Sequence, residues 1–351
     1  MGGNRNKGLD ICRMLACALV IINHNNSKVM LQVDDMSLAW LVTVAVVYLT
    51  KVAVPIFFMI TGYNLIHRND DRPKYFERMF RILVVLAVFT LLYYIWKCMI
   101  GVYELRPGAL GVADFLLGYV RVLFRDVVTD SYWYLYAYLG LLICMPAFQK
   151  LALGASERIT RRVLAASLIV LSVIPAVNVF FPGIFLSEHF ELPGITMSVA
   201  YLFVGHVAYL NRNGGRRIAG KAVCSLIAGL IFNACMMFAE WHHTGGTSCL
   251  SMSEIWSPGI IACSISLFAL ALKLRMHGGL AEKIIEVIVP LTFGVYLIGD
   301  FMCSSTHLIY YWLCPHMNRL LAVAIQDVAA LLCGCLIVAL VRCVPAIRKW
   351  I

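Results

Sequence analysis

The stretch Ile82-Leu-Val-Val-Leu-Ala-Val-Phe-Thr-Leu-Leu-Tyr-Tyr-Ile-Trp96 decides the fold, because it contains no charged side chain. With its flanks it reaches the roughly 20 residues that a helix needs to cross a bilayer. Similar apolar runs recur from one end of the chain to the other, separated by short polar stretches. The sequence therefore predicts an all-α, polytopic integral membrane bundle.

About ten such segments are present if each span is given about 20 residues. They lie near residues 8–26, 43–66, 79–100, 132–150, 163–181, 194–211, 219–239, 257–274, 284–304 and 321–343. The stretches between them leave no room for a soluble domain. We therefore interpret residues 1–351 as one transmembrane domain whose main partner is the lipid bilayer.

The composition supports this interpretation, since 61% of the residues are hydrophobic and only 14% are charged, whereas soluble domains carry about 25% charge. The net charge of +10 would suggest nucleic acid for a soluble protein. Here, however, 21 of the 29 Lys and Arg residues fall in alternate segments between the spans. Cytoplasmic loops are enriched in basic residues, so we expect no nucleic-acid partner, and we expect both termini in the cytoplasm.

Two further patterns exclude other classes of site. The first apolar segment contains Arg13 and lacks a small-residue cleavage site, so it is interpreted as a retained span and not as a signal peptide. The 13 cysteines lie mostly within spans without zinc-site spacing. We interpret them as packing residues and expect no metal.

Arg13 and His24 are the most informative polar pair. Eleven residues separate them, which is about 16 Å and close to three helical turns, so both face the same way. A charged group inside a span costs about 2.5 to 3.5 kcal/mol and needs a partner or a wet cavity. One interpretation is a polar path with His24 as a general base. The other is an Arg that snorkels inward and a His that caps the helix end beside Asn23, Asn25 and Asn26.

Arg78 and Arg81 lie one helical turn apart at the start of the third predicted span. Their side chains can therefore converge on one phosphate group. The spacing leaves open whether that phosphate belongs to a lipid or to a nucleotide.

Further along, residues 112–127 have the apolar spacing of an amphipathic helix, and we expect this helix to lie on the outer membrane surface.

Five stretches together resemble the acyltransferase-3 family of membrane proteins, and they follow that family's order over about residues 7–345. The resemblance is carried by Lys7 to His24, with its Arg13 and His24, by Lys51-Val-Ala-Val-Pro-Ile-Phe-Phe-Met-Ile-Thr-Gly-Tyr63, by Arg78-Met-Phe-Arg81, by Trp133-Tyr-Leu-Tyr-Ala-Tyr-Leu-Gly-Leu-Leu142 and by Phe293-Gly-Val-Tyr-Leu-Ile298.

This resemblance implies transfer of an acyl group, commonly acetyl from acetyl-CoA or another acyl-CoA. The acceptor would be a hydroxyl or amine of a small molecule or cell-wall component at the outer face of the plasma membrane. By position, His24 would be the catalytic base and Arg13 its structural or electrostatic partner along the helix. Arg78 and Arg81 would bind the phosphates of the coenzyme.

The chain also departs from the family pattern. Many members have His just before the fourth-helix Trp133, where this chain has Ser131 and Tyr132. Many also have His after the late Tyr-Leu-Ile run, where it has Gly299 and Asp300. We expect Asp300 to replace a lost polar contact or to pair with Lys51 or Lys97. Lys51, Trp133 and Asp300 are therefore candidate members of the polar path.

A rival interpretation comes from the same resemblance. The fold also forms the membrane half of the membrane-bound serine racemases associated with vancomycin resistance, where it is thought to take up serine for a fused cytoplasmic racemase. Such a domain would begin after the segment 342–351. In that case Arg13, His24 and Asp300 would line an amino-acid path and bind a zwitterion. A member that kept the fold and lost catalysis is a third alternative.

Overall fold

The computed structural model describes residues 6–68, 72–102, 112–125, 127–181, 194–212, 217–274 and 279–351. All regular structure in these ranges is helical, which confirms the predicted all-α class. The α-helices are α1 (Lys7–Met30), α2 (Leu38–Thr50), α3 (Ala53–Leu65), α4 (Arg72–Met99), α5 (Val112–Phe124), α6 (Trp133–Gly154), α7 (Glu157–Phe180), α8 (Met197–Leu210), α9 (Arg217–His243), α10 (Pro258–Ala271), α11 (Leu280–Ile288), α12 (Thr292–Leu297), α13 (Gly299–Leu313), α14 (Arg319–Val341) and α15 (Pro345–Arg348).

Seven helical segments among the described residues are long and apolar enough to cross a membrane. An eighth span results if the bent pair Glu282–Leu297 and Gly299–Leu313 counts as one. The other two predicted spans are also helical. However, α1 carries polar side chains along its length, and the 14 residues of α8 reach only about 21 Å. The count of ten and the cytoplasmic termini therefore stay predictions.

Two of the predicted spans contain breaks. The segment near 43–66 divides at Lys51 and Val52 into α2 and α3, because Pro55 has no N–H to donate to the carbonyl four residues before it. The segment near 284–304 bends by 87° between α12 and α13. A broken span places backbone groups and helix ends within the bundle, where they need polar partners.

The chain forms two compact units. The first contains residues 1–68 and 147–336, and the second contains residues 69–146 and 337–351. The chain passes from the second unit into the first within α6, and leaves it again within α14. That residues 1–351 act as one domain stays a prediction.

Helix α1 is central to the first unit, where it packs against α2, α3, α10, α12 and α13. Helices α3 and α8 pack closely against each other. A Cβ atom at Gly62 would lie 1.7 Å from the carbonyl oxygen of Leu202, and one at Gly205 would lie 2.0 Å from that of Met59. Only glycine at these two positions lets the two backbones come so close.

In the second unit, α4 packs against α5. The Tyr119 hydroxyl donates to the carbonyl of Ala87 at 2.9 Å and joins the two helices. Helix α5 confirms the predicted helix near 112–127 and leaves apolar side chains such as Leu117 and Phe124 exposed. Whether it lies on the outer membrane surface stays a prediction.

Candidate active site

His24 lies inside α1 and not at its end. The helix continues to Met30, so the interpretation of His24 as a helix-capping residue is wrong. Its imidazole is half-buried. Arg13 lies on the same continuous helix, so the predicted shared face of the two side chains holds.

The guanidinium of Arg13 has a carboxylate neighbour within the same helix. Its Nη1 lies 3.8 Å from Oδ1 of Asp10, whose side chain is nearly buried. Asp10 lies in the first turn of α1, where the helix dipole also favours a negative charge. The Arg13 side chain is about one third exposed, so this pair contributes little to stability, and it leaves the cation available to other groups.

A polar cluster made of Asn25, Asn26, Gln326 and Asp327 joins α1 to α14. Its two asparagines follow His24 directly in the sequence. Nδ2 of Asn25 donates to one carboxylate oxygen of Asp327 at 2.8 Å, and Nδ2 of Asn26 donates to the other at 3.1 Å. All four side chains are buried. The carboxylate is therefore compensated by amide hydrogen bonds within a candidate membrane span.

Gln326 extends the polar cluster to α13. Its Nε2 donates to Oδ1 of Asn25 at 3.0 Å and to the carbonyl of Cys303 at 3.3 Å. The same nitrogen lies 3.4 Å from Nδ1 of His307, whose ring stacks on Tyr310. The side-chain amide of Gln326 in α14 thus contacts both α1 and α13.

Sequence reasoning singled out none of Asn25, Asn26 and Gln326 as a functional residue. The signal that could have found them is the adjacent pair Gln326 and Asp327 within an apolar span, because polar side chains there need buried partners.

A second tie holds α1 from another direction. The hydroxyl of Thr50, at the end of α2, lies 2.9 Å from Oδ1 of Asn23 and 2.7 Å from the carbonyl oxygen of Val47, and its one proton is shared between these two acceptors. His24 is therefore flanked in sequence by Asn23, which is tied to α2, and by Asn25, which is tied to α14.

Lys51 lies at the break between α2 and α3 and pairs with Glu254 at 3.2 Å. The predicted pairing of Lys51 with Asp300 is therefore wrong, because Glu254 provides its carboxylate. Asp300 instead lies in the first turn of α13, just after the 87° bend, where the helix dipole stabilises its charge. Lys97, the other predicted partner, donates to the carbonyl of Val128 at 2.6 Å.

Glu254 is positioned by a well-anchored loop between α9 and α10. The fully buried carboxylate of Glu240 accepts from the Ser248 hydroxyl at 2.7 Å and from the backbone N–H groups of Ser251 and Met252 at 2.9 and 3.0 Å. The Tyr48 hydroxyl also donates to a carbonyl of this loop. Glu240 thus organises the loop from which Glu254 reaches Lys51.

The predicted phosphate-binding residues Arg78 and Arg81 lie in α4 of the second unit, three residues apart on one helix. Nε of Arg81 donates to the backbone carbonyl of Trp350 at 3.0 Å, and the ring of Phe80 lies 6.3 Å from that of Trp350. The helix begins at Arg72, so the guanidinium groups of Arg78 and Arg81 project from its second and third turns.

Trp133, a candidate member of the polar path, is the first residue of α6 and is partly exposed.

An apolar cavity of about 490 Å³ lies in the first unit among residues of α6, α7 and α8. Its polar lining side chains, Thr160 and Ser167, donate to carbonyls of the chain just before them. The described residues that line it include no ionisable side chain. The cavity therefore offers no group for acid–base chemistry.

No group of three or more His, Cys, Asp or Glu side chains that could hold a metal ion occurs in the part of the chain that the structure describes. The candidate residues themselves offer the chemistry of imidazole, guanidinium and carboxylate groups.

Comparison with known protein families gives one assignment, and it covers nearly the whole chain. The acyltransferase domain of the acyltransferase-3 family matches residues 6–346, which confirms the resemblance carried by the five motifs. Neither the comparison with curated proteins nor that with solved structures produced a match. With its long apolar helices, the chain belongs to the acyltransferase-3 family and is a multi-pass membrane acyltransferase.

Proposed function

We propose that this enzyme transfers an acyl group, in the first instance acetyl, from cytoplasmic acyl-CoA to a hydroxyl or amine at the extracytoplasmic side. The observation that carries the proposal is the half-buried His24 inside α1, flanked by side chains that other helices hold. A general base must be both oriented and able to reach a substrate proton. The hydrogen bonds of Asn23 and Asn25 serve the first requirement, and the partial exposure of His24 serves the second.

The proposed step is a nucleophilic acyl substitution. His24 accepts the proton of the acceptor hydroxyl or amine. At the same time, the oxygen or nitrogen of that group attacks the carbonyl carbon of the thioester. The bond from the carbonyl carbon to sulfur then breaks, and the thiolate of CoA leaves and takes up the proton from His24, which returns to its neutral form. An imidazole suits this role because its ordinary pKa lies near neutrality.

The arginines take electrostatic roles in this proposal. Arg13, about 16 Å from His24 on the same face of α1, is its structural or electrostatic partner along the helix and lies away from the reacting atoms. Arg78 and Arg81 bind the phosphates of the coenzyme, because a guanidinium matches phosphate geometry. The hydrogen bond from Arg81 to a backbone carbonyl has a neutral acceptor, and a phosphate is the stronger partner. Lys51 and Asp300 stay candidates for contacts with the acceptor.

A ligand screen on the purified protein tests this proposal before any acceptor is known. Acetyl-CoA, CoA and serine are added separately, and the unfolding temperature is measured. A ligand that binds only the folded state at 100 times its Kd adds about 2.7 kcal/mol of stability. We expect stabilisation by acetyl-CoA and CoA and none by serine. Stabilisation by serine alone would contradict the proposal and favour serine uptake.

A further inference from the structure

We propose that Asp327 is a positioning residue for His24, acting through Asn25 and Asn26. This inference rests on the proposed function, in which His24 is the base. It assigns a role to the polar cluster, which the family motifs quoted above do not include.

Asp327 is a buried ionisable residue. Its side chain is 7% exposed and lies in α14, which is a candidate membrane span. Among the described residues, its hydrogen-bond donors are the amides of Asn25 and Asn26, at 2.8 and 3.1 Å. A buried carboxylate held by neutral amides is costly compared with apolar packing. Its presence indicates a role beyond stability.

The residues on the two sides of His24 are hydrogen-bonded to different helices. Successive residues of an α-helix are turned by about 100° around the axis, so Asn23 and Asn25 lie on opposite flanks of His24. Asn23 is held by Thr50 of α2, and Asn25 is held by Asp327 and Gln326 of α14. Rotation of α1 in either direction would break hydrogen bonds on at least one flank. The two contacts therefore fix the rotation of α1 about its axis, and with it the direction of the Cα–Cβ bond of His24.

We expect the loss of the hydrogen bonds of Asp327 to affect catalysis more than folding. The effectiveness of a general base depends on its distance from the proton that it accepts, and a misplacement of about 1 Å can cost about 100-fold in rate. Loss of the tie at Asp327 should therefore reduce kcat while KM for acetyl-CoA stays unchanged.

The central test compares Asp327→Asn with the exchange variant Asn25→Asp/Asp327→Asn. The single variant places an NH2 group against an Asn amide donor, so one hydrogen bond is lost. The exchange variant restores it, because the new carboxylate at position 25 accepts from the new amide at position 327 and from Gln326. Glu240→Gln is the control, since the carboxylate of Glu240 is also buried and hydrogen-bonded but holds the loop between α9 and α10.

Two readouts are measured on each variant in lipid vesicles. The first is carbethoxylation of His24 by diethyl pyrocarbonate, with the modified peptide quantified by mass spectrometry. The second is release of CoA from acetyl-CoA. We expect Asp327→Asn to label faster at His24 and to release CoA about 10- to 100-fold more slowly. The exchange variant should return both values toward wild type, and Glu240→Gln should leave His24 labelling unchanged.

Unchanged His24 labelling in folded Asp327→Asn, or an equal change in Glu240→Gln, would overturn the inference. If Asp327→Asn does not fold, Asn25→Ala removes the same hydrogen bond from the α1 side, and wild-type labelling of His24 in that variant would overturn the inference as well. The labelling needs no turnover. A wild-type protein that neither binds nor consumes acetyl-CoA would therefore contradict the proposed function, and the positioning role would still be decided by labelling.

Discussion

At the scale of single residues, the main feature is how ionisable side chains in apolar surroundings find partners. Arg13 is close to Asp10, Lys51 is bound to Glu254, and Asp327 is held by two asparagine amides. The cost of burying a charge predicts that such partners exist. It does not predict which residues they are, because Lys51 and Glu254 are 203 positions apart in the chain. Partner choice therefore depends on tertiary packing.

The rarity of charge in apolar helices also explains which candidate residues the sequence could identify. His24 and Arg13 stand out because a charged or titratable residue is uncommon there. Asn25, Asn26 and Gln326 are uncharged, and asparagine near a predicted helix end is common as a cap. Only the continuation of α1 to Met30 shows that these asparagines lie inside a helix and need buried partners.

Arg78→Gln and Arg81→Gln should each weaken binding of acetyl-CoA. Removal of one charge-assisted phosphate contact costs about 1.5 to 3 kcal/mol, which corresponds to roughly a tenfold to hundredfold rise in Kd. The measurement is the shift in unfolding temperature as acetyl-CoA is titrated. Arg158→Gln is the matched control, because it removes an exposed arginine from the start of α7. Equal Kd values in all three variants would refute the phosphate-binding assignment.

At the scale of helices, hydropathy predicts where apolar segments lie but not where they break. Seven predicted spans correspond to long apolar helical segments, since the burial of about 20 apolar residues in lipid dominates their energy. The break at Lys51 and the 87° bend after α12 depend on backbone dihedrals and on neighbouring helices. A hydropathy average over a window of residues carries no information about either the backbone dihedrals or the neighbouring helices.

The close contact of α3 with α8 gives a prediction about stability. Gly205→Ala should destabilise the protein by at least about 1 to 3 kcal/mol, the usual cost of overpacking, because the new methyl group would lie 2.0 Å from the backbone oxygen of Met59. Thermal unfolding in detergent measures this change.

Gly220→Ala, in α9, is the control for that experiment. A Cβ atom at Gly220 meets no atom within 4 Å, and alanine favours a helix over glycine by about 0.5 to 1 kcal/mol. This variant should therefore match or exceed the wild-type unfolding temperature. A Gly205→Ala protein as stable as wild type would contradict the packing described for α3 and α8.

At the scale of the whole molecule, the sequence predicts membrane insertion and family membership but not the division into two units. Each unit combines segments that are far apart in the chain, such as 69–146 with 337–351. No local pattern in composition marks such a division. Orientation, in contrast, has a sequence signal in the distribution of Lys and Arg.

Fusions to reporter proteins test that orientation. Green fluorescent protein fused after Ile351 should fluoresce, and alkaline phosphatase at the same position should be inactive, because both ends are predicted to be cytoplasmic. Alkaline phosphatase inserted at Gly245, in the predicted outer loop between α9 and α10, should be active. Active alkaline phosphatase after Ile351 would reverse the predicted topology.

The most direct test of His24 as the base is turnover of acetyl-CoA by His24→Gln, which keeps a polar side chain of similar size and removes the imidazole. General-base catalysis contributes about 10²- to 10⁴-fold. We expect CoA release to fall by that factor, while the unfolding temperature and its shift with acetyl-CoA stay at their wild-type values. Wild-type turnover in this variant would contradict the assignment of His24 as the catalytic base.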